Sequence, residues 1–295
     1  MLNRMHDDEL DLGPELVRGL LADQVPHLAH LPVARAASSG TDHAIFRLGD
    51  ALAVRMPRIA WAAGVPEQEA TWLPRLLGHL PVTTPALVAA GRPGRGYPWS
   101  WTVVTWVPGD NPVVGALRDP LRLAEELAAL VRALRELELE DGTPYGLTLQ
   151  ERDEQVRRDL TALAGQIDTA AVARVWEHAL EHGRWDGRRT WCHRDLAPGN
   201  LLLTHGRLTG VVDAGGFGRA DPAFDLGVAW NLLPASARPV LRHGVGADDA
   251  TWIRARAHAL AQALVQLPYY RDRNPALAAN ARHVIREVLA EVATT

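Results

Sequence analysis

Short apolar runs separated by polar or glycine-containing turns mark the first hundred residues and predict β-strands. The runs that we expect to form strands cover 33–37, 43–48, 51–56, 86–90 and 101–107. The two-residue turn Gly49-Asp50 predicts a hairpin of the second and third runs. The glycine-rich loop 91–96 predicts another hairpin of the last two. This part of the chain is therefore expected to form a small antiparallel sheet.

Apolar residues recur at helical spacing in two places of this first part and through most of the later chain. In the first part, helices are expected at 14–22 and from Pro66, where Pro74 would kink or divide the second helix. In the later part, the segments with helical periodicity cover 117–131, 150–164, 168–182, 222–233, 248–267 and 276–292. The larger part of the chain is therefore expected to be helical.

A stretch rich in Pro and Gly at 108–112 separates these two patterns. One further hairpin, formed by the apolar runs 201–203 and 208–212, is expected within the helical part. The order of these elements predicts an α+β fold with two lobes. The sequence contains no internal repeat. Residues 1–107 would form a small β-rich N-lobe, and residues 108–295 a larger, mainly helical C-lobe.

Composition and charge narrow the class of protein. A hydrophobic share of 47% and a charged share of 22% are typical of a soluble globular chain. The net charge of −4 argues against a nucleic-acid partner, which would require a basic surface. A single Cys excludes an intrachain disulfide and a multi-thiolate metal site. The acidic N-terminus and the lack of an apolar run of about 18 residues predict a cytoplasmic protein without a membrane partner.

The chain contains no lysine, so all 31 basic side chains counted as Lys and Arg are arginines. A Schiff base or an amine nucleophile is therefore excluded. Phosphate binding is still possible, because the guanidinium of Arg keeps its charge and binds phosphate oxygens well.

The segment from Trp191 to Asn200 carries the residue types that phosphoryl transfer requires. It reads Trp-Cys-His-Arg-Asp-Leu-Ala-Pro-Gly-Asn, and a second acidic residue, Asp213, ends the apolar run after the hairpin. In such a reaction one carboxylate accepts the proton of the attacking hydroxyl, and hard oxygen ligands hold Mg²⁺ against the polyphosphate. Each residue alone would also fit a loop or turn. It is their joint spacing that indicates phosphotransferase chemistry.

The same segment resembles the Brenner-type catalytic loop of the aminoglycoside phosphotransferase family, which is related to the protein kinases. The resemblance continues in residues 220–226, Ala-Asp-Pro-Ala-Phe-Asp-Leu, which are similar to the Asp-Pro-x-x-Asp-Leu signature of that family. It covers most of the chain and is weakest before residue 30. A two-lobed, protein-kinase-like fold is what it implies.

The resemblance also implies roles for individual residues. Asp195 would be the catalytic base, and Asn200 and Asp213 would be the Mg²⁺ ligands. His193 and Asp225 would brace the catalytic loop. Cys192, in a short apolar run beside His193, is expected to be a buried structural thiol.

A nucleotide site in the N-lobe is implied as well. The loop that covers the phosphates would include Ser39 and Gly40, although a generic hairpin turn has a similar composition. Arg55 stands where the family has the Lys of a Val-x-Lys pattern, and it either replaces that Lys or matches its position by accident. Its carboxylate partner would be Glu69, with Glu67 as the alternative. An Arg can bridge phosphate oxygens and a carboxylate.

The strand that runs into 108–112 would present backbone groups to a purine edge, and Thr105 and Val107 are the candidates there. Backbone groups carry no side-chain code, so both ATP and GTP remain possible. The stretch after Asp213, Ala-Gly-Gly-Phe-Gly, predicts a mobile metal-binding loop, because glycine widens the backbone freedom.

The acceptor site of this family lies between the helical subdomain and the catalytic loop. Aminoglycosides are polycations, so acidic residues are expected to line it. The candidate side chains are Asp110, Glu151, Asp153, Asp248 and Asp249, with Trp252, Tyr269 and Tyr270 as stacking surfaces. Asp248 and Asp249 are most simply explained as caps of the helix that follows.

The expected activity is Mg²⁺-dependent transfer of the γ-phosphate of ATP or GTP to a hydroxyl of a small molecule. An aminoglycoside-like or other antibiotic would be the acceptor, and phosphorylation would confer resistance. Two alternatives stay open at this point. One is a metabolic kinase for a sugar or an amino alcohol, and the other is a non-catalytic nucleotide-binding module, prompted by the missing Lys.

Overall fold

A computed structural model describes residues 4–36, 41–139 and 146–293. The predicted nucleotide-loop residues Ser39 and Gly40 lie outside these ranges. The chain divides into two compact units. The first unit comprises Met1–Gly109 and Thr209–Phe217, and the second comprises Asp110–Leu208 and Gly218–Thr295. The predicted lobe boundary at residue 107 and the role of each lobe stay predictions.

The first unit is built on a five-stranded antiparallel sheet. Its strands are β1 (Val33–Arg35), β2 (His43–Leu48), β3 (Leu52–Pro57), β4 (Leu87–Gly91) and β5 (Trp101–Thr105), in the spatial order β1-β2-β3-β5-β4. Two helices, α1 (Pro14–Gln24) and α2 (Val65–Leu76), accompany it. Both predicted hairpins form here, β2 with β3 and β4 with β5.

The centre of this sheet is apolar. Phe46, Val54, Trp101 and Val103 are fully buried. The middle strand β3 pairs with both β2 and β5, because β5 inserts between β3 and β4. Helix α2 contains Pro74 and continues to Leu76, so the proline does not divide the helix, and the alternative, a kink at this residue, stays a prediction.

The second unit is mainly helical. Its helices are α3 (Pro120–Arg135), α4 (Leu149–Ala162), α5 (Thr169–His182), α6 (Val228–Asn231), α7 (Arg238–Gly244), α8 (Asp249–Tyr270) and α9 (Pro275–Ala293). Two short strands, β6 (Thr190–Cys192) and β9 (Gly218–Ala220), pair antiparallel. The third predicted hairpin also forms, from β7 (Leu201–Thr204) and β8 (Arg207–Val211), and β8 crosses the boundary between the units. The predicted α+β fold class is confirmed.

Two local predictions were wrong, and two short elements were not predicted. The continuous helix expected at 222–233 is a 3₁₀ turn, Phe224–Gly227, followed by the short α6. Helix α7 and strand β9 were not predicted, since seven and three residues are too few to show a period. Helix α3 begins at Pro120 rather than at 117, because Asp119 caps it by accepting a hydrogen bond from the Arg122 N–H at 3.0 Å.

In the described part of the chain, no helix combines the length and the apolarity that crossing a bilayer requires.

Candidate functional site

The loop after β6 presents Asp195 to solvent and fixes its carboxylate. Asn200 Nδ2 donates to Asp195 Oδ2 at 2.7 Å and to the Asp195 carbonyl at 2.9 Å. Asp195 is exposed, whereas Asn200 is half-buried in a 3₁₀ turn, Pro198–Asn200, that immediately precedes β7. These bonds turn the amide nitrogen of Asn200 toward Asp195, so that the amide oxygen faces away from it. The carboxylate is therefore accessible and held in one orientation.

Asp225 braces this loop from inside the second unit. Its side chain is 2% exposed and accepts hydrogen bonds from the backbone N–H of His193 at 2.9 Å and of Arg194 at 2.7 Å. Burial raises the pKa of the Asp225 carboxyl, while His193 and the two N–H donors oppose that shift. The backbone of His193, which is itself buried, is thus a partner of Asp225 in the bracing contact.

Arg194 has φ 69°, in the left-handed region that residues other than glycine rarely adopt. Such a conformation costs on the order of 1 kcal/mol and persists only where the surroundings enforce it. The bond to Asp225 supplies that constraint at the residue that directly precedes Asp195.

Two asparagines that the sequence did not assign hold the same loop. Asn111 Nδ2 donates to the carbonyls of Gly199 at 3.0 Å and Leu201 at 2.9 Å, on both sides of Asn200. Asn231 Nδ2 donates to the carbonyl of Leu196 at 3.1 Å. The only sequence signal for Asn111 was its place in the stretch Pro-Gly-Asp-Asn-Pro, and nothing indicated Asn231.

In the first unit, three charged side chains meet at Arg55 on strand β3. Arg55 Nε lies 2.8 Å from Glu69 Oε1, and Arg55 Nη2 lies 3.1 Å from Asp213 Oδ1. Thr102 Oγ1 donates to Glu69 Oε2 at 3.0 Å. The register of the sheet pairs Arg55 with Thr102, which explains why one hydroxyl reaches the same carboxylate. Glu69 is therefore the partner of Arg55, and the alternative, Glu67, is exposed in the first turn of α2.

Burial and the neighbouring charges shift the pKa values in this cluster. Burial opposes the charge of Arg55, but Glu69 and Asp213 together raise its pKa. Burial raises the pKa of Glu69, and Arg55 counteracts the shift. The neighbouring His43 is 5% exposed, and burial together with Arg55 lowers the pKa of its imidazole from 6.5 to about 4. His43 is therefore neutral at physiological pH.

Asp213 also has φ 69°, so both segments with predicted catalytic chemistry contain a left-handed non-glycine residue. The turn after it, Ala214–Gly216, packs closely against the start of α2. A Cβ added to Gly215 would lie 2.4 Å from Val65 Cγ1. This close approach favours a glycine at 215, and the mobility expected for the loop stays a prediction.

Asn200 and Asp213 fit Mg²⁺ by the chemistry of their donors. Among the described residues, no three His, Cys, Asp or Glu side chains cluster as a preformed metal site. Mg²⁺ does not require such a cluster, because it is commonly bound by one or two protein oxygens together with phosphates and waters. The amide oxygen of Asn200 and the half-exposed carboxylate of Asp213 are donors of this kind.

The backbone donor of Thr105 is already engaged in the sheet. Its N–H donates to the Ala86 carbonyl at 2.9 Å, and its Oγ1 accepts from the Ala86 N–H at 2.8 Å. Val107 follows the strand with a buried side chain. A purine-binding role for Thr105 would therefore rest on its carbonyl, and the roles of both residues stay predictions.

The residues predicted for the acceptor have local structural partners. Asp248 caps α8 by accepting from the Thr251 N–H at 2.7 Å, and Asp249 forms an ion pair with Arg242. The other candidates are engaged similarly: the Asp110 backbone pairs with Leu203, Glu151 forms a capping box with Thr148, Asp153 accepts from Trp176, Trp252 donates to Glu291, and Tyr269 and Tyr270 contact each other edge to face. An acceptor role for them stays a prediction.

The structure thus brings together two groups of predicted residues. Asp195, Asn200 and Asp225, with the backbone of His193, form one group in the second unit. Arg55, Glu69 and Asp213 form the other in the first unit.

Comparison with known proteins identifies the family of the chain. A sequence model described as the phosphotransferase enzyme family matches residues 33–280. A search of curated protein sequences found no match.

Solved structures share the fold at low sequence identity. The GDP complex of wild-type aminoglycoside 2'-phosphotransferase-IIIa is 17% identical with a TM-score of 0.77, over 95% of this chain and 100% of that one. The GDP and kanamycin complex of APH(2")-IIia is 18% identical with a TM-score of 0.73, over 94% and 99%. The macrolide 2'-phosphotransferase MphH from Brachybacterium faecium is 19% identical with a TM-score of 0.61, over 92% and 97%. At these identities the likeness shows the fold alone.

Proposed function

The chain belongs to the phosphotransferase enzyme family, and we propose that it transfers the γ-phosphoryl group of ATP or GTP to a hydroxyl of an antibiotic in a Mg²⁺-dependent reaction. The family resemblance that the catalytic loop indicated is confirmed, and with it the class of enzyme, a phosphotransferase. The nucleotide, the metal and the acceptor are the parts proposed here.

The observation that carries the proposal is the state of Asp195. Its carboxylate is exposed, is oriented by Asn200, and stands on a loop whose backbone is held by Asp225 and Asn231. A positioned and accessible carboxylate is what a general base for a hydroxyl nucleophile requires. A purely structural loop would not need three separate side chains to fix an exposed acid.

In the proposed reaction, the acceptor oxygen attacks the γ-phosphorus. The new O–P bond forms while the bond from that phosphorus to the β–γ bridging oxygen breaks, and the nucleoside diphosphate leaves. The hydroxyl proton passes to the carboxylate of Asp195. Asn200 and Asp213 would hold Mg²⁺, which screens the negative charge of the triphosphate when it is bound.

Arg55 performs in this proposal the phosphate binding that a lysine would perform, because the chain contains no lysine. Its guanidinium is anchored by the buried Glu69, and it binds phosphate oxygens of the nucleotide in this proposal. Glu69 on α2 also accepts a hydrogen bond from Thr102 on β5, and this bond helps to hold α2 against the sheet.

The acceptor class is proposed from the structural relatives. One of them was solved with kanamycin and others are macrolide phosphotransferases, so a hydroxyl-bearing antibiotic, aminoglycoside-like first, is the acceptor that we propose.

A panel of acceptors incubated with γ-³²P-labelled ATP or GTP tests the proposal. Aminoglycosides, macrolides, simple sugars and amino alcohols are compared at equal concentration with Mg²⁺ and with EDTA. We expect labelled product from an antibiotic and none with EDTA. Transfer to a sugar or an amino alcohol alone would assign a metabolic kinase instead, and nucleotide binding without transfer to any acceptor would contradict the proposal.

A further inference from the structure

Arg55 holds two carboxylates at once, and the two contacts differ in how firmly the partner is fixed. Glu69 is 2% exposed and, besides the ion pair with Arg55, accepts a hydrogen bond from Thr102. The side chain of Asp213, the partner in the other contact, is 35% exposed. The contact with Glu69 therefore anchors the guanidinium, and the contact with Asp213 is the one that can be exchanged.

The exchangeable contact involves an atom that the proposed metal site requires. Arg55 Nη2 lies 3.1 Å from Oδ1 of Asp213, and carboxylate oxygens are the ligands that Mg²⁺ prefers. A guanidinium and a divalent cation at the same carboxylate repel each other. While Arg55 contacts Asp213, the charge of this carboxylate is neutralised. An approaching metal ion is also repelled by the guanidinium.

We infer that Arg55 is an internal counter-cation that blocks Asp213 against metal ions until a nucleotide is bound. The phosphates of the nucleotide offer Arg55 stronger bidentate partners, so they draw its guanidinium from Asp213 and release Oδ1. Metal binding at Asp213 is thereby linked to nucleotide binding, and the free enzyme binds the metal weakly. This inference rests on the proposed roles of Arg55 and Asp213 in nucleotide and metal binding.

The replacement of lysine by arginine bears directly on this linkage. Arginine has several N–H donors on a planar group, so Nε can stay on Glu69 while Nη2 serves Asp213 or a phosphate. The ammonium of a lysine is a single atom on a flexible chain, and it must reach both carboxylates from one point. The arginine can therefore change one partner without losing the other.

Mn²⁺ titration of the free enzyme, followed by the EPR signal of unbound Mn²⁺ without nucleotide or acceptor, tests the inference. In Arg55→Gln, the counter-cation is removed, and we expect Mn²⁺ to bind on the order of tenfold more tightly than in the wild type. In Glu69→Gln, Arg55 has Asp213 as its remaining carboxylate partner, and we expect Mn²⁺ to bind more weakly. A role of Arg55 in phosphate binding alone predicts no change in either variant.

The exposed Arg95, which pairs with Asp23, supplies the control for charge. Arg95→Gln removes one positive charge from the same unit and should leave the Mn²⁺ affinity unchanged. Thermal unfolding confirms that each variant is folded, and Glu69→Gln decides the question if Arg55→Gln does not fold.

Equal Mn²⁺ affinity in the wild type and in the folded variants would overturn the inference, and so would the same gain in Arg95→Gln. Labelled-phosphate transfer by the wild type is measured separately. Transfer without the opposite shifts in Mn²⁺ affinity would leave the proposed function intact and sink only the counter-cation. Opposite shifts in Mn²⁺ affinity without phosphate transfer would support the counter-cation role of Arg55 and contradict the proposed function.

Discussion

Asp225 is expected to be the residue whose conservative replacement damages the catalytic loop most. Its buried carboxylate accepts two neighbouring N–H groups, those of His193 at 2.9 Å and Arg194 at 2.7 Å. In Asp225→Asn, one of the two acceptor positions becomes an NH₂ group that faces a backbone donor. One hydrogen bond is then lost, and a donor–donor contact takes its place at the base of the Asp195 loop.

The size of the effect follows from these contacts. A hydrogen bond to a charged group contributes about 1.5–3 kcal/mol, and a buried N–H without a partner costs about 1–3 kcal/mol. Burial raises the pKa of Asp225, so removal of the buried charge offsets part of the loss. We expect the free energy of unfolding to fall by about 2–4 kcal/mol. A shift of the loop by about 1 Å would lower kcat up to about 100-fold.

Urea unfolding followed by tryptophan fluorescence measures the stability, and labelled-phosphate transfer measures kcat. Asp168→Asn is the matched control, because exposed Asp168 caps α5 through the Ala171 N–H at 2.9 Å and Asn caps a helix equally well. Its stability should change by less than about 0.5 kcal/mol. If Asp225→Asn is as stable as this control and retains the wild-type kcat, the bracing role of Asp225 is refuted.

Further predictions concern buried groups elsewhere. Burial lowers the pKa of His43 from 6.5 to about 4, so its contribution to stability is complete above pH 6.5 and falls by about 3 kcal/mol as the pH drops to about 4. His43→Gln should flatten the pH dependence of urea unfolding in that window, and an unchanged slope would contradict the assignment. Burial raises the pKa of the Cys192 thiol, which is 1% exposed. A thiol reagent should therefore label Cys192 in urea but not in the folded enzyme. Rapid labelling of the folded enzyme would contradict the burial of this side chain. Arg254→Met leaves the buried Asp221 without its cation, 2.7 Å away, and should destabilise the fold by about 3–5 kcal/mol in chemical denaturation; a loss below about 1 kcal/mol would argue against a dry ion pair.

The parts of the fold that the sequence predicted are those specified by neighbouring residues. The hairpin at Gly49-Asp50 depends on a two-residue turn between two apolar runs, and it forms as expected. The composition of the catalytic loop is also local, since Asp195 and Asn200 are five residues apart. In both cases the interacting groups are close in the chain, so the pattern of residue types is sufficient.

Local sequence patterns could not predict contacts between residues that are far apart in the chain. Thr102 meets Glu69 because β5 inserts beside β3, a pairing of strands that are not consecutive. Asn111 and Asn231 reach the catalytic loop from far along the chain. The helix expected at 222–233 failed for a related reason: its periodicity is helical, but Asp225 is bound to the loop backbone and the chain forms a 3₁₀ turn there.

The proposed reaction depends on Asp195 as the acceptor of the proton of the attacking hydroxyl. Single-turnover transfer of labelled γ-phosphate to the acceptor identified by the panel, in the wild type and in Asp195→Asn, tests it most directly. A general base at Asp195 predicts a rate lower by about 10²–10⁴-fold in Asp195→Asn, with nucleotide affinity within about threefold of the wild type because the side chain keeps its shape. Transfer at the wild-type rate by Asp195→Asn would show that Asp195 is not the proton acceptor.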